Sequence, residues 1–435
     1  MHMDRVLFRI PRMPLAAALT PAEGTGAAEE PPPELGPPPG IVIGAARLPD
    51  TEFVGSPSIV ILPDGACLAS HDFFGKKGDW LNSTRVFNST DRGLTWTRVA
   101  HVRGQFWSSL FVHRGAVYLF GTSRKHGDVV IRRSTDSGRT WNTPLDAKTG
   151  RLFLGKYHCA PVPLVVHGGR IWRAFEEIVN DLDWPRHHAA LVISAPEDSD
   201  LLDAANWRRT NGIEFDPAWA PGRRPGWLEG NVVVTPQGNL ENILRTNTEV
   251  GPDAEFPLKG GAAGIPRFEL AARIEIPPDG ETIAFDPATG FFHFPGSQSK
   301  FTIRFDPVTK RYWSLVNKIT NQHQGRDSNS CPLRQRNVIM LTSSADLRHW
   351  REHAKVLRWR EGEPLTIRGR VAFQYLDWQF DGDDLIVASR TAWNGQNYHN
   401  ANYLTFHRVR NFRALTMDDS APDLAAGATS GGASI

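Results

Sequence analysis

The chain has 435 residues, of which 40% are hydrophobic, and its 49 Lys and Arg residues are nearly balanced by 47 Asp and Glu residues. A formal net charge of +2 is too small for a protein that holds a polyanion through bulk charge, so we expect no nucleic acid partner. No apolar run reaches the roughly 18–20 residues that a membrane-spanning helix needs. The length is sufficient for a large core in one extended domain or in two or three domains.

Both ends of the chain have low sequence complexity. Residues 12–40 are rich in Pro, Gly, Ala and Glu and predict a disordered leader over residues 1–40. Within this leader, the short apolar run Pro14–Leu19 is similar to the remnant of a secretion signal, so export to the periplasm or the outside of the cell stays open. Similar sequence after Leu415 predicts a disordered tail over residues 416–435. We therefore expect one folded domain over residues 41–415.

Seven pairs of strand-like runs between these ends are joined by turns rich in Gly, Asp and Pro. Such pairs predict antiparallel hairpins and an all-β fold, not strand–helix–strand units. Their spacing of about 40–50 residues is within the range of propeller blades. The predicted hairpins are Ser58–Leu62 with Ala66–Ser70, Ser108–Val112 with Ala116–Phe120, Pro163–Val166 with Arg170–Phe175, Asn231–Val234 with Leu240–Leu244, Thr282–Phe285 with Phe291–Phe294, Phe301–Phe305 with Arg311–Val316, and Trp378–Phe380 with Leu385–Ser389.

An octapeptide with the pattern S-x-D-x-G-x-T-W occurs twice, at Ser89–Trp96 and 45 residues later at Ser134–Trp141. Weaker copies follow at Asp200 and Asp346. The pattern resembles the Asp box (BNR repeat) of sialidase-like β-propellers. Its Asp can accept backbone N–H bonds in a turn, its Gly permits a positive φ, and its Trp packs beneath the turn. We therefore assign these aspartates a structural role at the outer rim and no catalytic role.

The resemblance implies a β-propeller with four-stranded antiparallel blades. We favour seven blades and keep six as the alternative, because Phe268–Phe294 is either a full blade or an insertion. The ring is expected to close by pairing of Gly40–Arg47 with the strand near Tyr403–Val409, which would remove exposed strand edges. We expect the protein to be a monomer.

Five further segments resemble the propeller enzymes that attack rhamnose–uronic acid linkages: ulvan lyases, rhamnose–glucuronate lyases and their α-L-rhamnosidase relatives. The segments are Phe53–Ser58, Ser70–Gly75, Tyr157–Pro161, Gly169–Ala174 and Phe373–Gln379, and the likeness extends over about residues 50–412. The lyase pattern implies three catalytic residues, namely His71 and a Tyr and an Arg sixteen positions apart, Tyr157 and Arg173. His71 and Tyr157 would exchange protons in a β-elimination while Arg173 neutralises a uronate carboxylate.

Position in the predicted strands suggests a second set of residues, because polar side chains at the entry to the inner strands converge on one face of a propeller. We expect these residues to bind an oligosaccharide or polysaccharide. They are His158, Trp107, Glu229, Asn231, Arg245, Gln374, Gln379 and His399.

Two other functions stay open. The first is an exo-acting glycoside hydrolase of the sialidase or rhamnosidase type, with Glu229 and Asp377 as a carboxylate pair. A sialidase needs three arginines for a carboxylate, a Tyr/Glu nucleophile pair and an Asp acid. The tetrapeptide Phe8–Pro11 looks like the arginine motif that opens sialidases, but we interpret it as coincidence because low-complexity sequence follows. The second is a non-catalytic glycan-binding propeller.

The sequence predicts no metal site and no required cofactor. Cys67, Cys159 and Cys331 are too far apart for a disulfide framework or a zinc cluster. We interpret the adjacent His187 and His188 as solvated loop residues. A structural calcium ion is conceivable, but no acidic loop motif supports it.

Overall fold

The computed structural model describes residues 35–76, 81–180, 184–249, 263–320, 334–361 and 369–424. These residues form β-strands joined by turns, and their helical parts are short 3-10 turns such as Ala204–Asn206, Arg267–Glu269, Phe412–Ala414 and Met417–Asp419. The prediction of an all-β fold is confirmed. Among the described residues, no helix is long and apolar enough to cross a membrane.

The described strands are numbered in chain order. The first thirteen are β1 (Ile41–Ala45), β2 (Glu52–Val54), β3 (Ser58–Ile61), β4 (Cys67–Gly75), β5 (Ser83–Ser89), β6 (Thr97–Arg103), β7 (Phe106–His113), β8 (Ala116–Thr122), β9 (Gly127–Ser134), β10 (Arg151–His158), β11 (Val165–His167), β12 (Arg170–Ile178) and β13 (His188–Pro196). The others are β14 (Arg208–Arg209), β15 (Gly226–Val234), β16 (Leu240–Asn247), β17 (Leu270–Ile276), β18 (Phe291–His293), β19 (Ile303–Asp306), β20 (Arg311–Asn317), β21 (Val338–Ser344), β22 (Trp350–Arg358), β23 (Ala372–Asp381), β24 (Asp384–Ala392) and β25 (Tyr403–Val409).

Antiparallel pairing arranges the described strands in six consecutive units, each built on four strands. Unit 1 contains β3–β6 with β2 beside β4, unit 2 contains β7–β10, unit 3 contains β11–β14, unit 4 contains β15–β18, unit 5 contains β19–β22, and unit 6 contains β23–β25 and β1. Units 2 and 3 form one continuous sheet because the last residues of β10, Tyr157 and His158, pair with β12. Six of the seven predicted hairpins are the two innermost strands of these units.

The ring closes where the two ends of the described chain meet. Ile41 of β1 lies opposite Phe406 of β25, and Ala45 lies opposite Tyr403, so the outermost strand of unit 6 comes from the start of the chain. The predicted pairing of Gly40–Arg47 with this strand is confirmed. Because the ring is closed, each of the six units packs against a neighbour on both sides, which is how a propeller protects its sheet edges.

Hydrophobic clusters fill the interfaces between neighbouring units. Trp172 of unit 3 packs in one cluster with Trp227 of unit 4, and Phe87 of unit 1 shares another with Phe406 of unit 6. Among the described residues, six such clusters join units 1 and 2, 2 and 3, 3 and 4, 4 and 5, 5 and 6, and 6 and 1. The core is therefore a closed circle of sheet-on-sheet contacts, and the fold is a β-propeller.

The seven-blade preference depends on Phe268–Phe294, which the structure assigns differently. This stretch supplies the two outer strands of unit 4, with Phe291 opposite Ala272. The predicted hairpin of Thr282–Phe285 with Phe291–Phe294 does not form, because Phe291 pairs with β17 instead. The described residues thus contain six four-stranded units, the count that the sequence left as the alternative.

The Asp boxes join the third and the outer strand of their units. In the first box, Asp91 accepts bonds from the Thr95 backbone N–H (2.9 Å) and hydroxyl (2.6 Å), and the Trp96 indole donates to the Gly93 carbonyl (3.0 Å). These Thr95 bonds lower the pKa of Asp91 to about 2. Equivalent bonds surround Asp136 in the second box. The aspartates shape turns, as the sequence predicted.

The folded region extends past both predicted limits. Gly36, within the predicted leader, accepts a bond from the Trp393 indole (2.7 Å). In the predicted tail, Ala421 N–H donates to the Lys355 carbonyl (2.7 Å), so the tail follows the outer strand of unit 5. The parts of the leader and tail at 1–34 and 425–435 lie outside the described residues, with the tetrapeptide at 8–11, the apolar run at 14–19 and Cys331.

Candidate functional site

Three inner strands carry the same irregularity near their first residues. Trp107 in β7, Glu229 in β15 and Tyr375 in β23 have φ of 50°, 60° and 56°, and the pairing register shifts around each of them. A bulge re-aims a side chain, and a bulky residue in this conformation costs about 1–3 kcal/mol, so such residues concentrate at functional sites. The bulges belong to alternate units 2, 4 and 6. We call the end of the channel where the inner strands begin the site mouth.

Tyr375 and Glu229 are hydrogen-bonded across the site mouth. The Tyr375 hydroxyl donates to Glu229 Oε1 (2.7 Å), and Arg245 Nη1 donates to Glu229 Oε2 (2.7 Å) and lies 3.4 Å from the Tyr375 oxygen. Glu229 and Arg245 are both about 2% exposed. Burial alone would raise the pKa of Glu229, but the Arg245 charge outweighs it and holds the pKa below its usual value. Glu229 is therefore an ionised acceptor for the phenol proton.

Two more buried arginines surround the Tyr375 ring. The guanidinium carbons of Arg390 and Arg336 lie 5.0 Å and 5.8 Å from its centroid. Arg336 also donates to the Gln374 side chain, and Arg390 donates to the His399 carbonyl. Burial lowers the pKa of both arginines. The charge of Arg245 lowers the pKa of Arg336 further, and the charge of Arg336 does the same to Arg390. Three guanidinium groups close to one carboxylate give this mouth a positive charge that suits an anionic ligand.

Asp72 lies in the second half of β4 and faces the same mouth. Its Oδ2 accepts the Trp107 backbone N–H (2.9 Å), and the side chain is buried. Burial raises the pKa of Asp72 to about 7, although the Trp107 bond and the Arg390 charge oppose the rise. A carboxyl group of this kind can hold a proton near neutral pH and donate it.

A histidine-rich cluster borders the mouth on the side of unit 3. The ring of His158 lies 4.3 Å from that of Trp107, its Nδ1 lies 2.7 Å from Glu176 Oε2, and the His188 ring is 4.9 Å away. Glu176 Oε1 also accepts the Gly230 N–H (3.4 Å). Because Gly230 follows Glu229 in the chain, this bond connects the cluster to the strand that carries Glu229. The interpretation of His188 as a solvated loop residue was wrong, because it begins β13 and is 2% exposed.

The structure does not bring together the three residues that the lyase resemblance made catalytic. His71 is fully buried, packs on Phe73 and Phe87, and turns away from the mouth that its neighbour Asp72 faces. Burial lowers the pKa of His71 to about 3. Tyr157 accepts a bond from Arg209 (2.7 Å) of the outer strand of unit 3.

Arg173 is a structural residue in this geometry. It is fully buried, donates to the Phe120 carbonyl of unit 2 and to the Ala160 carbonyl (3.2 Å), and lies over the rings of Phe120 and Phe175. Its guanidinium joins units 2 and 3. The geometry therefore gives no support to the predicted elimination roles of the three residues.

The predicted binding residues divide into two groups. Those at or beside the site mouth are His158, Trp107, Glu229, Arg245, Gln374 and His399, the last on the exposed rim. Asn231 instead accepts from Ile303 N–H (3.1 Å) and joins units 4 and 5, and Gln379 donates to the Ile59 carbonyl (3.1 Å). Asp377 accepts from Ser58 (2.8 Å), so it is no carboxylate partner for Glu229 in this structure.

The opposite end of the channel holds a more apolar cavity of about 820 Å³. It lies at the later residues of the inner strands, among them Val234, Phe305 and Gln379, and it contains none of the groups of the site mouth. The titratable and charged residues therefore favour the site mouth as the candidate active site, although this cavity lies at the opposite end of the channel.

Comparison with known proteins supports the fold. No protein-family model matches the chain, and no curated protein sequence does. Among solved structures, an α-L-arabinanase of Penicillium chrysogenum is 14% identical with a TM-score of 0.52, covering 87% of this chain and 99% of its own. An α-L-arabinofuranosidase of Fusarium graminearum is 12% identical with a TM-score of 0.51, covering 86% and 97%. The Hadza microbial sialidase Hz136 is 14% identical with a TM-score of 0.51, covering 84% and 66%.

Proposed function

We propose that the chain is a glycoside hydrolase that acts on a sugar bearing a carboxylate at its anomeric carbon, with Tyr375 as the nucleophile. One observation carries the proposal: the Tyr375 hydroxyl donates to the ionised Glu229 within a ring of three guanidinium groups. These groups match the Tyr/Glu pair and the three arginines that a sialidase needs, and Asp72 is in a position to supply the acid.

The reaction follows from the hydrogen bonds. As the Tyr375 oxygen attacks the anomeric carbon, Glu229 takes the phenol proton through the existing 2.7 Å bond. The bond from the anomeric carbon to the leaving oxygen breaks, and Asp72 gives its proton to that oxygen. Water then attacks the glycosyl–tyrosine while Asp72 accepts a proton from it and Glu229 returns one to Tyr375, which restores the enzyme with retained configuration.

The arginines specify where the substrate's charge lies. Arg245 Nη1 is 3.4 Å from the nucleophilic oxygen, so a carboxylate that it binds must be beside the attacked carbon. That geometry fits a 2-keto acid sugar, whereas the carboxylate of a uronic acid lies on the far side of the ring oxygen. A neutral phenol also approaches such an anionic centre without the repulsion that an aspartate or glutamate nucleophile would meet.

The proposal is tested with a panel of fluorogenic 4-methylumbelliferyl glycosides: an α-linked N-acetylneuraminic acid, an α-L-arabinofuranoside, an α-L-rhamnoside and a β-glucuronide. We expect release from the acidic keto sugar, its loss in Tyr375→Phe, and its retention in the matched control Tyr157→Phe. Faster release from a neutral sugar or the glucuronide, or activity that survives in Tyr375→Phe, would overturn it. An unsaturated uronate product that depends on Tyr157 would establish the elimination instead.

A further inference from the structure

We infer that His158, Glu176 and His188 form a binding site for a divalent transition metal, with zinc as the best fit. Each residue offers one ligand atom, and the three atoms lie within 4.8 Å of one another. All three side chains are buried. The inference rests on this geometry and does not depend on the proposed hydrolase activity.

Strand register explains why the three side chains meet. His158 of β10 lies opposite Glu176 of β12, and Glu176 lies opposite Ala190 of β13. Cross-strand partners point to the same face of a sheet, and so do residues two apart on one strand. His188 is two residues before Ala190, so it shares the face of His158 and Glu176. A rigid three-strand platform therefore holds the ligands.

The donor set suits zinc better than a hard cation. Two imidazoles and one carboxylate are a common zinc set with a fourth position left for water or a ligand, whereas calcium and magnesium prefer oxygen. With Zn–N distances of about 2.0–2.1 Å, tetrahedral ligand atoms lie about 3.3 Å apart. The His158 and Glu176 atoms at 2.7 Å would separate slightly to admit the ion, and His188 would move towards it.

A second observation points to a ligand at this place. His188 Nδ1 is buried and has no hydrogen-bond partner among the described residues, although a buried polar atom without a partner is costly. The Trp107 ring, 4.3 Å from that of His158, shields the cluster on one side.

The experiment uses the full-length chain, stripped with a chelator and titrated with Zn²⁺ by calorimetry and with Co²⁺ by visible absorption. We expect one ion per chain, a tetrahedral Co²⁺ spectrum and a higher melting temperature with Zn²⁺. Glu176→Gln and His188→Ala should weaken binding at least about 100-fold, because loss of a direct ligand exceeds the 10–100-fold effects seen for outer-shell partners. The control is His187→Ala, whose side chain instead pairs with Glu214 (2.7 Å) and which should bind normally.

The inference would be overturned if the wild-type chain bound no stoichiometric metal. It would also be overturned if Glu176→Gln and His188→Ala bound the metal as tightly as the wild-type chain, or if His187→Ala weakened binding as much as they do. Should a variant fail to fold, X-ray absorption at the zinc edge of the wild-type protein decides the matter. Two or more imidazole ligands with an oxygen ligand support the site. A shell of oxygen atoms alone would refute it.

Discussion

Removing the charge of Glu229 is the sharpest perturbation of the proposed chemistry. Glu229→Gln keeps the shape and an oxygen that can accept the Tyr375 hydroxyl, but an amide cannot take the phenol proton. A positioned base typically contributes 10²–10⁴-fold to a rate, which is about 3–5.5 kcal/mol of activation free energy. We expect kcat of Glu229→Gln to fall by this factor, with a smaller change in KM.

The two residues act in one step, so their losses should not add. In Tyr375→Phe there is no phenol proton for Glu229 to accept, and the double variant should be no slower than Tyr375→Phe alone. The coupling free energy of the double-mutant cycle should therefore equal the whole Glu229→Gln effect, about 3–5.5 kcal/mol. This value is far above that of residues that merely lie near each other.

The assay is fluorogenic hydrolysis of the acidic keto sugar at fixed pH, with folding of each variant checked by urea denaturation. The check is needed because Arg245, 2.7 Å from Glu229, loses its charged partner in a buried place. Rates are compared only under conditions where every variant is folded. A tenfold or smaller effect of Glu229→Gln, or losses that add in the double variant, would refute the assignment of base and nucleophile.

Three further predictions test other parts of the structure. Because burial raises the pKa of Asp72 from 3.8 to about 7, kcat/KM should fall as pH rises through about 7, and Asp72→Asn should abolish this limb while slowing the reaction. Because the folded state holds this proton more tightly than the unfolded state, the free energy of unfolding should decrease as the pH rises from 3.8 to about 7. In urea titrations, Asp72→Asn should make the free energy of unfolding less dependent on pH over this range. Arg390→Met should lower kcat/KM for the acidic sugar about 10–100-fold, mainly through KM, and an unchanged KM would contradict its role in binding the carboxylate. Gly93→Ala should destabilise the fold by about 2–4 kcal/mol, because the new Cβ would lie 2.3 Å from the aromatic ring of Phe406, where unit 1 meets unit 6. The control Gly65→Ala has a similar φ but open space around it and should cost about 1 kcal/mol. Equal losses of unfolding free energy in urea would contradict the packing between units 1 and 6.

The fold was predictable because its signals are local. Turn residues predicted seven hairpins, of which six form, and the repeated octapeptides marked turns that the structure places before the outer strands. The stretch Phe268–Phe294 left the blade count open between six and seven. Its two strands, β17 and β18, pair with each other across a loop, and β17 pairs with β16, so both are outer strands of unit 4, and sequence alone does not show that pairing.

The site was harder to predict because it depends on which way single residues face. Asp72 and His71 are neighbours on β4, as His158 and Tyr157 are on β10, and alternation along a strand sends only one of each pair to the site mouth. The lyase resemblance named His71 and Tyr157, the two residues that do not face the site mouth. Tyr375 was not predicted, because a bulge in β23 turns it towards Glu229 and no residue pattern indicates that bulge.

Arg336 was missed for a different reason. It precedes β21 in a segment without strand periodicity, and the packing of unit 6 beside unit 5 brings it to within 5.8 Å of the Tyr375 ring. Glu229 and Arg245 were predicted from their positions at the ends of paired strands. Such positions can be recognised in the sequence even when the pairing register is unknown.

Trapping the glycosyl–enzyme would show directly whether Tyr375 is the nucleophile. A keto acid sugar fluoride with a second fluorine beside the anomeric carbon forms the covalent intermediate but hydrolyses slowly, so the mass of the labelled protein and of its peptides can be measured. We expect one sugar per chain, attached to the peptide that contains Tyr375 and absent in Tyr375→Phe. A label on any other residue, or no label while the substrate is still turned over, would contradict it.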